Sequence, residues 1–219
     1  MTAAVDASIL EFLARRGVTE ARHFTTNRGL LGALRVGSVV SRSALAEEDI
    51  LGLIAINNCY RRWGKDWFDH VSLSIQRING HLYGISSGRW HAGDEGLWWC
   101  VLGFDHEVLA HPNVVFTTTN NGYYSVVSRA KGLEGLQATF ADEVTTYRGS
   151  RPQILSRASV PQNQPTDPEA EALYPRQVST DWLASIYVPQ PHLAETVHGY
   201  LEATGHSMVE IICDPEAFA

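Results

Sequence analysis

Lysine is scarce in this chain: of its 17 basic residues only Lys65 and Lys131 are lysine, and the other 15 are arginine. That bias suits planar, bidentate recognition of phosphate or carboxylate better than general solubility. Cysteine is scarce as well. Cys59, Cys100 and Cys213 are an odd number, widely spaced, and form no CxxC pair, which excludes a disulfide framework and gives no sign of a zinc or redox motif. The nine histidines show no metal-ligand spacing such as HExxH, so no metal is expected. Long apolar runs are missing too: Leu97 to Phe104, interrupted by Gly103, falls far short of the roughly 20 residues that span a bilayer. The opening MTAAVDASILEFLARRG carries an acid before its apolar stretch and two arginines after it, the reverse of a secretory signal, and a cytoplasmic protein is expected. There is no repeat or low-complexity run, and the one linker-like stretch, Ser159 to Pro168, is too short to divide domains. The 219 residues therefore read as a single domain.

What is present is an ordinary globular composition, 44% hydrophobic and 19% charged, that excludes a disordered or fibrous chain. The net charge of −7 is unevenly placed. Residues 1 to 157 hold 16 Lys+Arg and 15 Asp+Glu, net +1, whereas residues 158 to 219 hold one Arg and nine acids, net −8. Short helices are expected at Ile9 to Leu13, stopped by Gly17, and at Leu30 to Leu34 before Gly37. A longer helix is expected from Ala46 to Arg62, with acids near its start and Arg61-Arg62 at its end, in agreement with the helix dipole. Alternation of Val71, Leu73 and Ile75 with Ser72, Ser74 and Gln76 predicts a strand, and Asn79-Gly80 predicts a hairpin turn into a second strand from His81 to Ile85. Further strands are expected at Leu97 to Phe104, Val114 to Thr119, Trp182 to Val188 and Met208 to Cys213, with a helix from Leu193 to Thr204 stopped by Gly205. The class is α+β with a mixed or split sheet.

Three places could carry chemistry. His23-Phe24-Thr25 precedes a short helix whose N-terminal N–H groups make a candidate anion or carbonyl site, although a simply capped helix has the same pattern. Arg61-Arg62 is equally compatible with dipole compensation. Glu171, in DPEAEALYP, is by itself one acid among 24.

Together these segments resemble the DarT family of DNA ADP-ribosyltransferases. His23-x-Thr25 followed by Leu30, Leu34 and Gly37 is similar to the family's opening motif, and Arg61-Arg62 followed by Asp69-His70-Val71 is similar to its arginine pair before a D-x-V-P-F-Y-F strand. VLGFDHEVLAHPNVVFTTTNNG, Val101 to Gly122, is similar to the valine-rich strand and V-V-F-T-D-G-N-A segment. Ala170-Glu171-Ala172-Leu173 is similar to the A-E-x-L strand that carries the catalytic glutamate. The likeness covers roughly residues 20 to 190. Two departures stand out: Gly29 occupies a position where many members have asparagine, and Ser72-Leu73-Ser74-Ile75 replaces Pro-Phe-Tyr-Phe.

The resemblance implies an ADP-ribosyltransferase-like split sheet and transfer of ADP-ribose from NAD to a nucleobase, thymidine or guanosine, in single-stranded DNA. It implies a toxin role and a macrodomain antitoxin of DarG type. Cleaving the nicotinamide–ribose bond develops positive charge on the sugar, so such a site must hold the leaving group and the pyrophosphate and exclude water. His23, Phe24, Thr25, Gly29 and Leu30 would hold NAD, with Arg61 and Arg62 on its phosphates and one of them, Arg62 first, catalytic. Glu171 would be the general base on the acceptor N–H. For the DNA strand, Tyr123, Tyr124, Arg148, Arg151 and Arg157 are the main candidates, with Arg129 and Tyr147 beside them. The acids after Ser159, Glu171 excepted, are expected to lie mostly away from that channel. An RNA or protein acceptor, or a silent nucleic-acid-binding module of the same fold, remains open at this point.

Overall fold

A computed structural model describes residues 5–47, 67–90, 93, 95–149 and 151–219. Among them the elements run α1 (Ala7–Arg16), β1 (Glu20–Thr26), α2 (Asn27–Val36), β2 (Ser38–Val40), α3 (Arg42–Glu47), β3 (His70–Ile75), α4 (Gly80–Ile85), β4 (Trp99–Asp105), β5 (Val115–Thr117) and β6 (Arg129–Lys131). There follow α5 (Gly132–Thr139), β7 (Glu143–Arg148), β8 (Arg151–Ser156), β9 (Glu171–Pro175), β10 (Gln177–Ser179), β11 (Leu183–Val188), α6 (His192–Thr204) and β12 (Glu210–Cys213). The expected helix from Ala46 to Arg62 overlaps the end of α3; the rest of it, Arg61 and Arg62 included, lies outside the described residues.

Eight strands line up in the order β12-β11-β4-β1-β3-β9-β5-β6. All neighbours are antiparallel except β11 and β12, so the sheet is mixed, as expected. Its two halves are barely joined. β1 pairs with β4 along its whole length but meets β3 only at Ala21↔Ile75 and Arg22↔Ser74, after which the ladder between the halves stops. The apolar alternation of β1, β3, β4 and β9 buries Ala21, Leu73, Ile75, Leu102, Phe104 and Ala172 against the stripes of α1, α2 and α6, notably Leu13, Leu30, Val197 and Leu201. Each large side chain so buried stabilises the fold by roughly 1.5–3 kcal/mol. Cys100 sits inside this core, where burial pushes its thiol far above the ordinary range, while Cys213 is exposed. A smaller aromatic cluster on the other side joins Phe24, Trp99, Tyr187 and Phe218 to Tyr83 of α4.

The expected hairpin after β3 does not form. Asn79 instead caps α4, its Oδ1 accepting from the Leu82 N–H at 2.9 Å, and a π-helical turn, Ser86–Trp90, continues it. Next to the turn, Ser74 and Ile75 already pair with β1, and His70 to Leu73 pair with β9, so a hairpin partner would have to displace one of these strands. The strand expected over Val114 to Thr119 is shorter, Val115–Thr117, and Trp182 belongs to a 3₁₀ turn before β11 rather than to the strand itself. The linker-like stretch is tied down: Arg157 donates to the carbonyls of Pro161, Gln162 and Gln164, and Thr166 and Asp167 are buried.

Candidate active site

The gap between the two half-sheets is the place where polar side chains converge. On one lip, β1 passes directly into α2, whose cap is Thr26: its hydroxyl accepts from the Gly29 N–H at 3.2 Å. Asn27 then fastens the 96–98 segment against this helix start, its N–H donating to the Trp98 carbonyl and its Nδ2 to that of Gly96. Gly29 has a steric reason to be glycine, because a Cβ there would stand 2.1 Å from Thr25 Oγ1. His23 lies where the ladder to β3 has ended, and its Nδ1 reaches the Ser72 carbonyl at 2.9 Å. A carbonyl only accepts, so Nδ1 carries the hydrogen and the neutral ring presents Nε2 as an acceptor. Desolvation pushes the His23 pKa below its ordinary value, outweighing the upward pull of the Ser72 carbonyl, and the neutral form is favoured.

On the other lip Glu171 opens β9, 4% exposed. The Ser72 hydroxyl donates to Glu171 Oε2 at 2.7 Å, and the Asn121 N–H donates to Oε1 at 3.2 Å. Thr117, opposite Glu171 in β5, accepts from the Glu171 N–H at 3.1 Å and fixes the strand end. Ser72 therefore holds His23 with its carbonyl and Glu171 with its hydroxyl. One residue of β3 ties the two lips together.

Next to Glu171 lie two more buried carboxylates. Asp167 accepts from the Thr119 hydroxyl and the Glu169 N–H, and Glu169 accepts from Asn120 Nδ2 and the Tyr123 hydroxyl, each at 3.1 Å. Arg148 stands 3.8 Å from Glu169. Asp167 and Glu169 lie in the turn that leads into β9, and Glu171 is the first residue of that strand. Sequence reasoning missed Ser72, Asn121, Asp167 and Glu169; only the serine alternation of β3 hinted at the first.

The other candidates fall into two groups. Thr25 and Gly29 lie at the β1–α2 junction, but Phe24 points into the aromatic cluster, edge-on to Tyr83 at 5.7 Å, and Leu30 is fully buried, so those two side chains anchor the lip from behind. Tyr124 is 44% exposed beside Arg129, whose guanidinium lies 5.2 Å from its ring, and Arg148 and Arg151 face each other near the end of the β7–β8 hairpin. Tyr123 turns its hydroxyl inward to Glu169 and packs edge-on against Tyr147 at 5.5 Å. Arg157 differs from the expectation for a strand-binding residue: its donors are spent on loop carbonyls and its guanidinium covers Phe140 at 4.9 Å. Glu169 is a further acid of this segment held inside the network next to Glu171.

The family model for the ssDNA thymidine ADP-ribosyltransferase DarT matches residues 23–219. The chain belongs to the DarT family. Its fold is that of solved DarT structures: Thermus sp. 2.9 DarT in complex with NAD+ superposes with a TM-score of 0.59 at 14% identity, over 92% of this chain and 98% of that one. The same Thermus protein in complex with ADP-ribosylated ssDNA gives 0.58 at 15% identity, covering 93% of this chain and 97% of that one. Thermosipho africanus DarTG in complex with ADP-ribose gives 0.59 at 14% identity over 91% of this chain, which spans 50% of that longer protein. No curated protein matches by sequence. As a DarT the chain is an NAD-dependent ADP-ribosyltransferase acting on single-stranded DNA. Among the described residues no group of three or more His, Cys, Asp or Glu side chains is placed to hold a metal ion, and no helix is long and apolar enough to cross a membrane.

Proposed function

We propose that this DarT binds NAD in the gap between the half-sheets and passes its ADP-ribose to thymidine, with Glu171 as the general base. The observation that carries this is the Ser72 bridge, which places a neutral imidazole and a fixed carboxylate on facing lips. NAD supplies a ribose carbon whose nicotinamide leaves with the bonding electron pair. His23 Nε2 accepts from an N–H or O–H of the dinucleotide, and the backbone of His23 and Thr25 grips the nicotinamide amide. Arg61 and Arg62, outside the described residues, are the expected partners of the phosphates. Thymidine carries a single N–H on its base; Glu171 takes that proton as the nitrogen bonds to the ribose carbon, a contribution of roughly 10²–10⁴-fold. Ser72 and Asn121 each occupy one lone pair of Glu171, which holds the carboxylate in place and leaves further lone pairs for the proton.

Tyr124, Arg148 and Arg151 form the exposed approach for the DNA strand, with Tyr123 and Tyr147 as its packed support. The partner is of DarG type, a reading supported by the Thermosipho DarTG likeness and by the family resemblance. The cell's NAD and DNA make the cytoplasm the place of action.

The test is incubation with NAD and thymidine-containing oligonucleotides, single-stranded and duplex, beside RNA and protein controls, with mass spectrometry for one added ADP-ribose. Modification confined to single-stranded DNA and abolished by Glu171→Ala is expected. Transfer by Glu171→Ala at a rate comparable to wild type overturns the reading, and labelling of RNA or protein in place of DNA moves the acceptor.

A further inference from the structure

We infer that Arg129 is a positioning residue for transfer, acting through Asn121 on the carboxylate of Glu171. The inference rests on the role proposed for Glu171. Three strands bring the parts into line: Glu171 of β9 faces Thr117 of β5, and Thr117 faces Arg129 of β6, so Glu171 and Arg129 share one face of the sheet with a single residue between them. Over that residue passes the turn containing Asn121. Arg129 grips it twice, Nε donating to Asn121 Oδ1 at 2.7 Å and a terminal nitrogen donating to the Asn121 carbonyl at 2.8 Å. The N–H of the same asparagine donates to Glu171 Oε1. Asn121 is 6% exposed, so its side chain and carbonyl have little water to turn to if the arginine is removed.

The guanidinium is itself held, with its carbon 5.6 Å from the Trp67 ring and 5.2 Å from that of Tyr124. Cation–π contact on both rings keeps the fork in place. A planar fork satisfies two acceptors of one residue at once, which a single ammonium on a flexible stem does not. The product is a fixed Asn121 backbone, and with it a fixed direction for the hydrogen bond that seats Oε1. An error of about 1 Å in such a group costs on the order of 10²-fold in rate.

Arg129→Ala, Arg129→Lys, Asn121→Ala and the Arg129→Ala/Asn121→Ala double variant are compared by kcat and by KM for NAD and for a thymidine oligonucleotide. Arg129→Ala is expected to lower kcat on the order of 10²-fold with both KM values changed by no more than a few-fold. Arg129→Lys recovers part of the loss, Asn121→Ala loses less than Arg129→Ala, and the double variant is no worse than Arg129→Ala alone, because the two residues act as one unit. Should melting curves show Arg129→Ala unfolded, the kcat losses of Arg129→Lys and Asn121→Ala decide. Wild-type kcat in the folded variants, a loss confined to KM for the oligonucleotide, or losses that add in the double variant overturn the inference. None of these outcomes touches Glu171, whose own substitution tests the parent reading.

Discussion

The two halves of the sheet are built on different principles. In β12-β11-β4-β1 the central strand β4 is buried on both faces, with Cys100, Val101, Leu102 and Phe104 all inaccessible, and the polar group Glu20–Arg22–Tyr187 is internally neutralised: Arg22 meets Glu20 at 2.9 Å and covers the Tyr187 ring at 4.3 Å. In β3-β9-β5-β6 and its flanking loops, buried Leu73, Ile75 and Phe116 are joined by a buried polar set, Thr117, Thr119, Asn121, Asp167, Glu169 and Glu171, with Arg129 gripping Asn121 at 2.7 Å and Arg148 3.8 Å from Glu169. A dry apolar half supplies stability, whereas a satisfied polar network adds little net stability and becomes costly once a partner is removed. In the proposed mechanism the lip that binds is mounted on the first and the lip that reacts on the second.

The sharpest way to break this contrast is a core truncation in the first half. Leu102→Ala is expected to cost roughly 2–5 kcal/mol in denaturant unfolding, with transfer per folded molecule unchanged; a loss of specific activity without a loss of stability contradicts the division. Ser72→Ala in the second half should act first on catalysis. It keeps the carbonyl that holds His23 but deletes one of the two hydrogen bonds that seat the Glu171 carboxylate, so kcat should fall while NAD affinity stays near wild type, and the accompanying stability loss, roughly 1.5–3 kcal/mol for a hydrogen bond to a charged group, should be no larger than that of Leu102→Ala.

The seam between the halves is probed by Gly29→Ala, whose new methyl meets Thr25 Oγ1. Overpacking of this kind costs roughly 1–3 kcal/mol, and Thr25→Ala added to it should restore much of the stability, which unfolding midpoints will show. The smallest effect concerns pH. Burial lowers the pKa of both His23 and His111 below 6.5, so the unfolded chain binds their protons more readily than the folded one. The stability they contribute is complete above the unfolded pKa and is lost as pH falls below it toward the folded values. Melting temperatures should therefore drop between about pH 7.5 and about pH 5.5, and a flat or rising profile contradicts the burial argument.

Much of the first half was legible in the sequence because its signals are local: the run into β4, the Gly205 stop after α6 and the Gly17 stop after α1. The AEAL strand, with Glu171 at its start, was legible through motif likeness. The second half was less so. Asn79-Gly80 has the chemistry of a hairpin turn and also of a helix cap, and only the pairing of β3 with distant strands decides between them. Ser72 stood out only as part of the segment that replaces Pro-Phe-Tyr-Phe; its two contacts come from residues 49 and 99 positions away. The acidic excess after residue 157 suggested a charged face, yet Asp167, Glu169 and Glu171 are turned inside, where partners in the 117–123 segment hold them.

The central claim, that one lip binds NAD and the other acts on the acceptor, is tested most directly by measuring NAD affinity calorimetrically for His23→Ala and Glu171→Ala beside single-turnover transfer to a thymidine oligonucleotide. The account predicts that Glu171→Ala binds NAD within a few-fold of wild type yet transfers nothing measurable, because a general base acts in the transition state, while His23→Ala loses NAD binding itself. Intact NAD binding in His23→Ala together with its loss in Glu171→Ala would contradict it.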